Sequence, residues 1–278
     1  MIFSNIRSST DVVATLSNIP IQRTSTAKFL GVIVDDNLTW KYHIAALKTK
    51  MNRNAGILFK MKGILPLTVL KTLYHCFVQS QLNHCPLVWG MGSKTSLNPL
   101  FIAQKRAIRT LIPGFANYFY NKETGDLPCH TKGVFNSNLI PTIHNIILQR
   151  LIVFMKQIHG KTALIPMQNL FTIVPSPTCI NNRYSIFSCP NARLKPHLNS
   201  IFVKGPLLYP SILLEIERSD PHKLHTLQSL LIKPFKNLIK SYTLKTQTEG
   251  DENEWHTSNF RLHVGIRHSH RITLSHNI

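Results

Sequence analysis

The chain has 278 residues, 43% of them hydrophobic and 16% charged, which suits one or two folded domains with a sizeable core and excludes a disordered polyelectrolyte. Lysine and arginine number 32 against 12 acids, for a net charge of +20. Self-repulsion on that scale points to a polyanionic partner: nucleic acid first, an anionic membrane surface second, with a solvated basic face lacking a specific partner as the plain alternative.

The acids are also unevenly placed. Asp11, Asp35, Asp36, Glu123, Asp126, Glu215, Glu217, Asp220, Glu249, Asp251, Glu252 and Glu254 leave the windows 37–122 and 127–214 without a carboxylate. Five cysteines (Cys76, Cys85, Cys129, Cys179, Cys189) show no C-x-x-C spacing and read as reduced thiols, which suggests an intracellular chain of cytoplasm or nucleus. The N-terminus lacks the pattern of a signal peptide, and no apolar run approaches the ~20 residues of a membrane span, so no membrane association is expected.

In chain order, Met1–Phe3, Asp11–Val13 and Ile19–Ile21 read as short strands, too few for an independent domain and suggestive of one edge of a larger sheet. Phe29 to Val34 reads as a strand with little exposed face, and Gly31 within it marks a bulge or a close backbone approach. Residues 40–62 read as a helix with Asp36, Asn37 and Thr39 as candidate caps and Gly63 as its stop. Ile44, Leu47, Met51, Ala55 and Leu58 form its core stripe, while Lys48, Lys50, Arg53 and Lys60 lie outside that stripe.

Pro66 opens a second helix to about Leu82, with Leu70, Leu73, Tyr74, Phe77 and Val78 inward and Trp89 as a core anchor after it. A third helix runs from about Leu97 to Ile112, with Lys105, Arg106 and Arg109 on a face of their own. Loop-like sequence over 113–138 precedes a helix from Leu139 to His159. Residues 160–200 are rich in Pro and Asn, Gly205–Pro210 reads as a turn, Leu224–Leu244 as a terminal amphipathic helix, and the tail from Thr246 as disordered.

Several short stretches recur in a familiar order: Met1-Ile-Phe-Ser4, Lys28-Phe-Leu-Gly31, Asp35 with Leu38, Trp40 and His43-Ile44, then Leu73-Tyr74, Trp89-Gly90 and Gln104-Lys-Arg-Ala-Ile-Arg109. Arg183-Tyr184, Gly205-Pro206 and Phe235-Lys236 continue it more weakly, and Tyr209-Pro210 departs from a usual Trp-Asn. From Met1 to about Leu244 the chain resembles the region that follows the polymerase palm in reverse transcriptases of non-LTR (LINE-like, jockey-type) retrotransposons.

The resemblance implies a mostly α fold: palm-edge strands with a primer-grip hairpin (1–35), a three-helix thumb-like bundle (36–114), an irregular helical C-terminal region (115–244) and a tail (245–278). It implies that Lys28, Phe29, Leu30 and Gly31 grip a primer end, and that Lys48, Lys50, Arg53, Lys60, Lys105, Arg106 and Arg109 line an RNA, DNA or RNA–DNA template–primer.

Polymerisation in that family needs carboxylates from two palm segments to hold two Mg²⁺ ions, and both segments would lie upstream of Met1. Asp35-Asp36 follows the Leu-Gly hairpin in the family register and reads as a helix entrance. No catalytic residue, metal ligand or cofactor is therefore assigned, Mg²⁺ belonging to the intact parent enzyme. Some relatives carry a C-terminal zinc knuckle, but His263, His268, His270 and His276 have no cysteine beyond Cys189 to complete one. The missing palm and fingers would be a natural partner. A segment of a longer intact polymerase and a decayed element are the other readings.

Overall fold

The computed structural model describes residues 15–92, 94–111, 135, 138–174, 186–188, 200–219 and 232–249. The expected strands at Met1–Phe3 and Asp11–Val13, the 113–134 loop, Arg183-Tyr184 and the tail histidines lie outside them.

Two antiparallel strand pairs come first: β1 (Thr15–Leu16) with β2 (Ile19–Pro20), and β3 (Thr26–Phe29) with β4 (Val32–Asp35). In the second pair Lys28 faces Ile33 and Phe29 faces Val32, which leaves Leu30 and Gly31 as a two-residue turn. Both have positive φ, 46° and 86°, the conformation that matches the twist of a tight hairpin. The glycine thus serves a turn and not a bulge. The strand is also less buried than its composition suggests. Val32 and Asp35 are buried, whereas Phe29 is 69% and Leu30 78% exposed.

Helix α1 (Lys41–Met61) follows, close to its expected bounds, and buries His43 along with the five stripe residues. None of Asp36, Asn37 or Thr39 supplies its cap. Asp35, only 3% exposed, does the work from further back: Oδ2 accepts from the Thr39 N–H and hydroxyl (2.8 Å each), and Oδ1 from the Trp40 N–H at 2.8 Å. Burial on its own would raise the carboxyl's pKa, but these hydrogen bonds outweigh it and hold the group below its ordinary value. Asp36 stays at the turn, bonded to Asn37 Nδ2.

Helix α2 (Leu67–Tyr74) passes through a π-helical turn, His75–Gln79, into α3 (Ser80–Asn83). The wider turn shifts the helical register. Phe77, expected inward, is part exposed, while Val78 and the polar Gln79 are carried into the interior. The Phe77 carbonyl is taken by Asn54 Nδ2 of α1 at 2.7 Å.

Short α4 (Pro86–Trp89) leads to α5 (Lys94–Arg109), which packs along α1. Beyond the loop come α6 (Ile143–His159), α7 (Ile165–Gln168), a strand pair β5 (Ile173–Val174) with β6 (Ile186–Phe187), α8 (Ile201–Ser219) and α9 (Ile232–Glu249). The fold is mostly α, with strand pairs at the N-terminal side and helices after them.

Two C-terminal expectations change. Gly205–Pro210 is not a turn but the middle of α8, with Pro206 and Pro210 inside the helix. Each proline forfeits a backbone hydrogen bond, yet Leu208, Tyr209, Ile212 and Leu213 are buried on that helix, and Gly205 lies so near Met155 of α6 that a β-carbon would stand 2.6 Å from its sulfur. Packing decides the conformation there. Helix α9 covers Ile232–Glu249 and so includes residues 246–249, which the sequence placed in the tail, while residues 224–231 of the expected helix lie outside the described ones.

One contiguous core runs from Val32 through Trp89, Leu100 and Ile152 to Ile239. Gln104 joins its halves. Fully buried, it donates through Nε2 to Tyr74 Oη (3.1 Å) and the Pro141 carbonyl (3.0 Å), and accepts from the Ile143 N–H at 2.8 Å.

Candidate nucleic-acid interface

The hairpin turn does not project freely on both sides. Beneath it lies a cleft of about 470 Å³ lined by Lys28, Gly31 and Ile33 of the hairpin, His43, Ala46, Leu47 and Lys50 of α1, and Ser80, Gln81 and His84 beyond the π turn. No carboxylate is among these residues. Lys28 and Lys50 are exposed at its rim, so the site presents two ammonium groups and two imidazoles to whatever enters, a lining suited to a phosphodiester.

Three contacts set the cleft's shape. His84 Nε2 lies 3.0 Å from the Leu30 carbonyl oxygen. The Ile33 N–H donates to His43 Nδ1 at 3.3 Å, which makes Nδ1 the acceptor nitrogen of a neutral ring. Trp89, fully buried, donates through Nε1 to the His84 carbonyl at 2.8 Å and lies 5.6 Å from the His43 ring. Burial, and then the nearby charge of His84, lowers the His43 pKa. The close backbone approach expected at Gly31 is made by the chain itself: a β-carbon there would stand 3.0 Å from His84 Nε2.

The other basic residues are dispersed. Lys48 faces the opposite flank of α1, where it shares a shallow cleft of about 400 Å³ with Lys41 and with Thr95, Ser96 and Pro99 of α5. Arg53 and Lys60 are exposed further along α1, outside both clefts. On α5, Lys105 is half-buried with Nζ 4.5 Å from the Phe101 ring centre, Arg106 is exposed and Arg109 half-buried. The fold thus brings together Lys28, Gly31 and Lys50, leaves Phe29 and Leu30 at the exposed tip, and places Lys48, Arg53, Lys60 and the α5 cations elsewhere. Sequence reasoning gave His84 no role. It sits in a short connection 54 residues beyond Leu30, and nothing in its local sequence ties it to that turn.

No protein-family profile and no solved structure matches the chain. A stretch of 125 residues is 30% identical to the RNA-directed DNA polymerase from mobile element jockey of Drosophila funebris, covering 42% of this chain. Part of this chain is related to a reverse transcriptase. The match takes in 13% of that polymerase's length, so the chain corresponds to a small portion of it.

Several residues that carry the reverse-transcriptase resemblance are packing residues. Gly90 is needed because a β-carbon would lie 2.4 Å from the Pro86 carbonyl and 2.8 Å from Ile147. Trp89 and Gln104 are wholly internal, as described above. Asp35 spends its carboxylate on the start of α1. Lys28 and Gly31, by contrast, open on the cleft.

Among the described residues, no helix is long and apolar enough to cross a membrane, and Cys76 and Cys85 are free thiols.

Proposed function

We propose that this chain is a thumb-like segment of a retrotransposon RNA-directed DNA polymerase, and that its task is to hold RNA, DNA or RNA–DNA template–primer. The observation that carries the reading is the cleft beneath the Leu30–Gly31 turn, where Lys28 and Lys50 converge with His43 and His84 and no carboxylate stands among the described lining residues. The relationship to the jockey polymerase and the acid-free window 37–122 support it. Phosphate contacts of this kind hold a duplex without reading its sequence and weaken as salt rises. Lys48, Arg53, Lys60, Lys105, Arg106 and Arg109 would extend the basic track outside the cleft.

The chemistry of polymerisation belongs, in this reading, to carboxylates that the segment does not supply. Asp35 is a buried acid, and its oxygens are engaged by Thr39 and Trp40. The exposed apolar residues Leu16, Ile19, Ile21, Phe29 and Leu30 offer a face for the palm and fingers of the parent polymerase.

Titration of labelled RNA–DNA hybrid with the purified chain over a range of salt tests the reading. Binding with a steep salt slope is expected, and Lys28→Glu with Lys50→Glu should weaken it by roughly tenfold or more and flatten the slope. Absence of affinity for any duplex or single strand at low salt overturns it. With template–primer, Mg²⁺ and nucleotides the chain alone should incorporate nothing, and incorporation would place catalytic carboxylates within it.

A further inference from the structure

The helical stretch from His75 to Asn83 has two polar sides. Ser80 and Gln81 face the hairpin cleft, whereas His75, Gln79 and Asn83, one helical ridge, face away toward α6 and α9. There they form the wall of a separate cleft of about 360 Å³, closed by Arg150 of α6 and by Lys236 and Lys240 of α9. Among the described residues the two clefts share no lining residue.

Three properties of this second cleft point to its ligand. Among the described residues its charge is all of one sign: Arg150, Lys236 and Lys240 are exposed on its walls, and no described carboxylate lines it. The His75 pKa is lowered, by burial first and then by the charge of Lys240, so the cation is close enough to be felt by the ring. The wall also holds an unanswered acceptor. Gln79 is 8% exposed, and its Oε1 is buried without a hydrogen-bond partner. A buried acceptor left unmade is costly, and this one was carried inward by the π turn, a feature frequent at functional sites. The amide's last torsion is soft, so it turns readily toward an incoming donor.

The walls are firmly held. Asn145 Nδ2 donates to the Thr243 carbonyl at 3.0 Å, and Gln149 Nε2 to Thr243 Oγ1 at 2.6 Å, fixing α9 against α6 on either side of the cleft. The site is therefore built into the packing of three helices.

We propose that the cleft between the π turn, α6 and α9 is a second nucleic-acid site, selective for RNA: its cations take the phosphodiester and Gln79 Oε1 accepts from a ribose 2′-hydroxyl. A phosphate flanked by a sugar hydroxyl donor supplies both the charge and the donor that the cleft asks for. DNA supplies the charge without the donor. The proposal shares with the proposed function only the idea of a nucleic-acid partner, and rests on different residues.

The test uses the full chain and three labelled single strands of one sequence: RNA, its fully 2′-O-methylated form, and DNA. Fluorescence anisotropy should show RNA bound roughly fivefold to tenfold more tightly than either of the others, as one hydrogen bond of ordinary strength allows. Lys236→Glu with Lys240→Glu should weaken RNA binding by about tenfold or more. Gln79→Met should bring RNA to the level of DNA while leaving DNA unchanged. Equal affinity for RNA and its 2′-O-methyl form overturns the proposal with no variant needed. So does RNA binding that survives the double reversal at Lys236 and Lys240, or displacement of RNA by an acidic peptide as readily as by unlabelled RNA. Sensitivity to Lys28→Glu/Lys50→Glu alone breaks this proposal and keeps the hairpin cleft; sensitivity to Lys236→Glu/Lys240→Glu alone does the reverse.

Discussion

The hairpin of β3 and β4 and the helical body behind it are stabilised in different ways. The body is held by apolar burial: Tyr74, Trp89, Met51, Leu58 and Ile108 are sealed from solvent in one core that extends to Ile239. Beyond its own strand ladder, the hairpin buries Val32, rests Val34 against the core, and is otherwise tied to the body by a few directed bonds, from His84 to the Leu30 carbonyl, from Ile33 to His43, and from Thr39 and Trp40 to Asp35. A region held by three or four polar contacts can be moved or loosened locally, whereas a region held by a shared core fails as a unit. That asymmetry lets the hairpin shift locally while the body keeps its shape.

The contrast is broken most severely from the core side. Trp89 of α4 is wholly buried against His43 of α1 and the His84 backbone, and Trp89→Ala should cost about 3–5 kcal/mol through lost burial and the cavity left behind. Because its indole also fixes the His84 backbone, both regions should fail together. The expected result is a large fall in the thermal midpoint with amide protection lost throughout the chain. A variant that kept the body folded and freed only the hairpin would contradict the shared core.

Asp35 is the joint between the two regions and comes next in size. Asp35→Asn keeps the shape but weakens charge-assisted bonds to Thr39 and Trp40, an effect of about 1–3 kcal/mol. The sign with pH follows from the lowered pKa. The unfolded chain takes up this proton first as pH falls, so the carboxylate's contribution is complete above its ordinary value of 3.8 and is lost as pH drops through the lower folded value. Acid unfolding followed by circular dichroism should show that limb in the native chain and a shallower one in Asp35→Asn. Equal acid limbs would mean that the carboxylate does not hold the joint.

The joint is also where sequence reading reached furthest and then stopped. That Asp35-Asp36 stands at the entrance of a helix was legible, because the pair comes after the hairpin and before a clean helical stripe. Which acid does it, and through which atoms, was not, since Asp36, Asn37 and Thr39 all have the chemistry of a cap. Helix α1 could be placed to within a residue because its stripe repeats over about four turns. The inward shift of Gln79 was illegible: a π turn adds nothing to composition and only slides the register. Pro206 and Pro210 misled for a related reason, their local cost being overridden by burial on α6.

For the candidate site, spacing alone put Lys48 and Lys50 on one basic helix but could not show that α5 and the hairpin flank it on opposite sides. His84 became visible only once the chain had folded across 54 residues.

The smallest effect isolates the hairpin from the body through a pair of glycines. Gly31 has φ of +86° and His84 Nε2 at 3.0 Å from where a β-carbon would be, while Gly56, in the exposed middle of α1, has nothing within 4 Å of that position. Gly31→Ala should therefore cost about 1–2 kcal/mol, from the left-handed backbone and the displaced imidazole. His84 has little room to yield, because its carbonyl is fixed by Trp89 and turning its ring gives up the Leu30 bond. Gly56→Ala should do the opposite and stabilise by about 0.5–1 kcal/mol, as alanine does in a helix interior. In hydrogen exchange, Gly31→Ala should accelerate amides of residues 26–35 and leave α1 and α5 protected, whereas Gly56→Ala should slow exchange in α1 and leave the hairpin as it was. If Gly31→Ala instead lowered protection in α5 as far as in the hairpin, the two regions would be one cooperative unit, and the Leu30–Gly31 turn could not move independently of the helices that carry it.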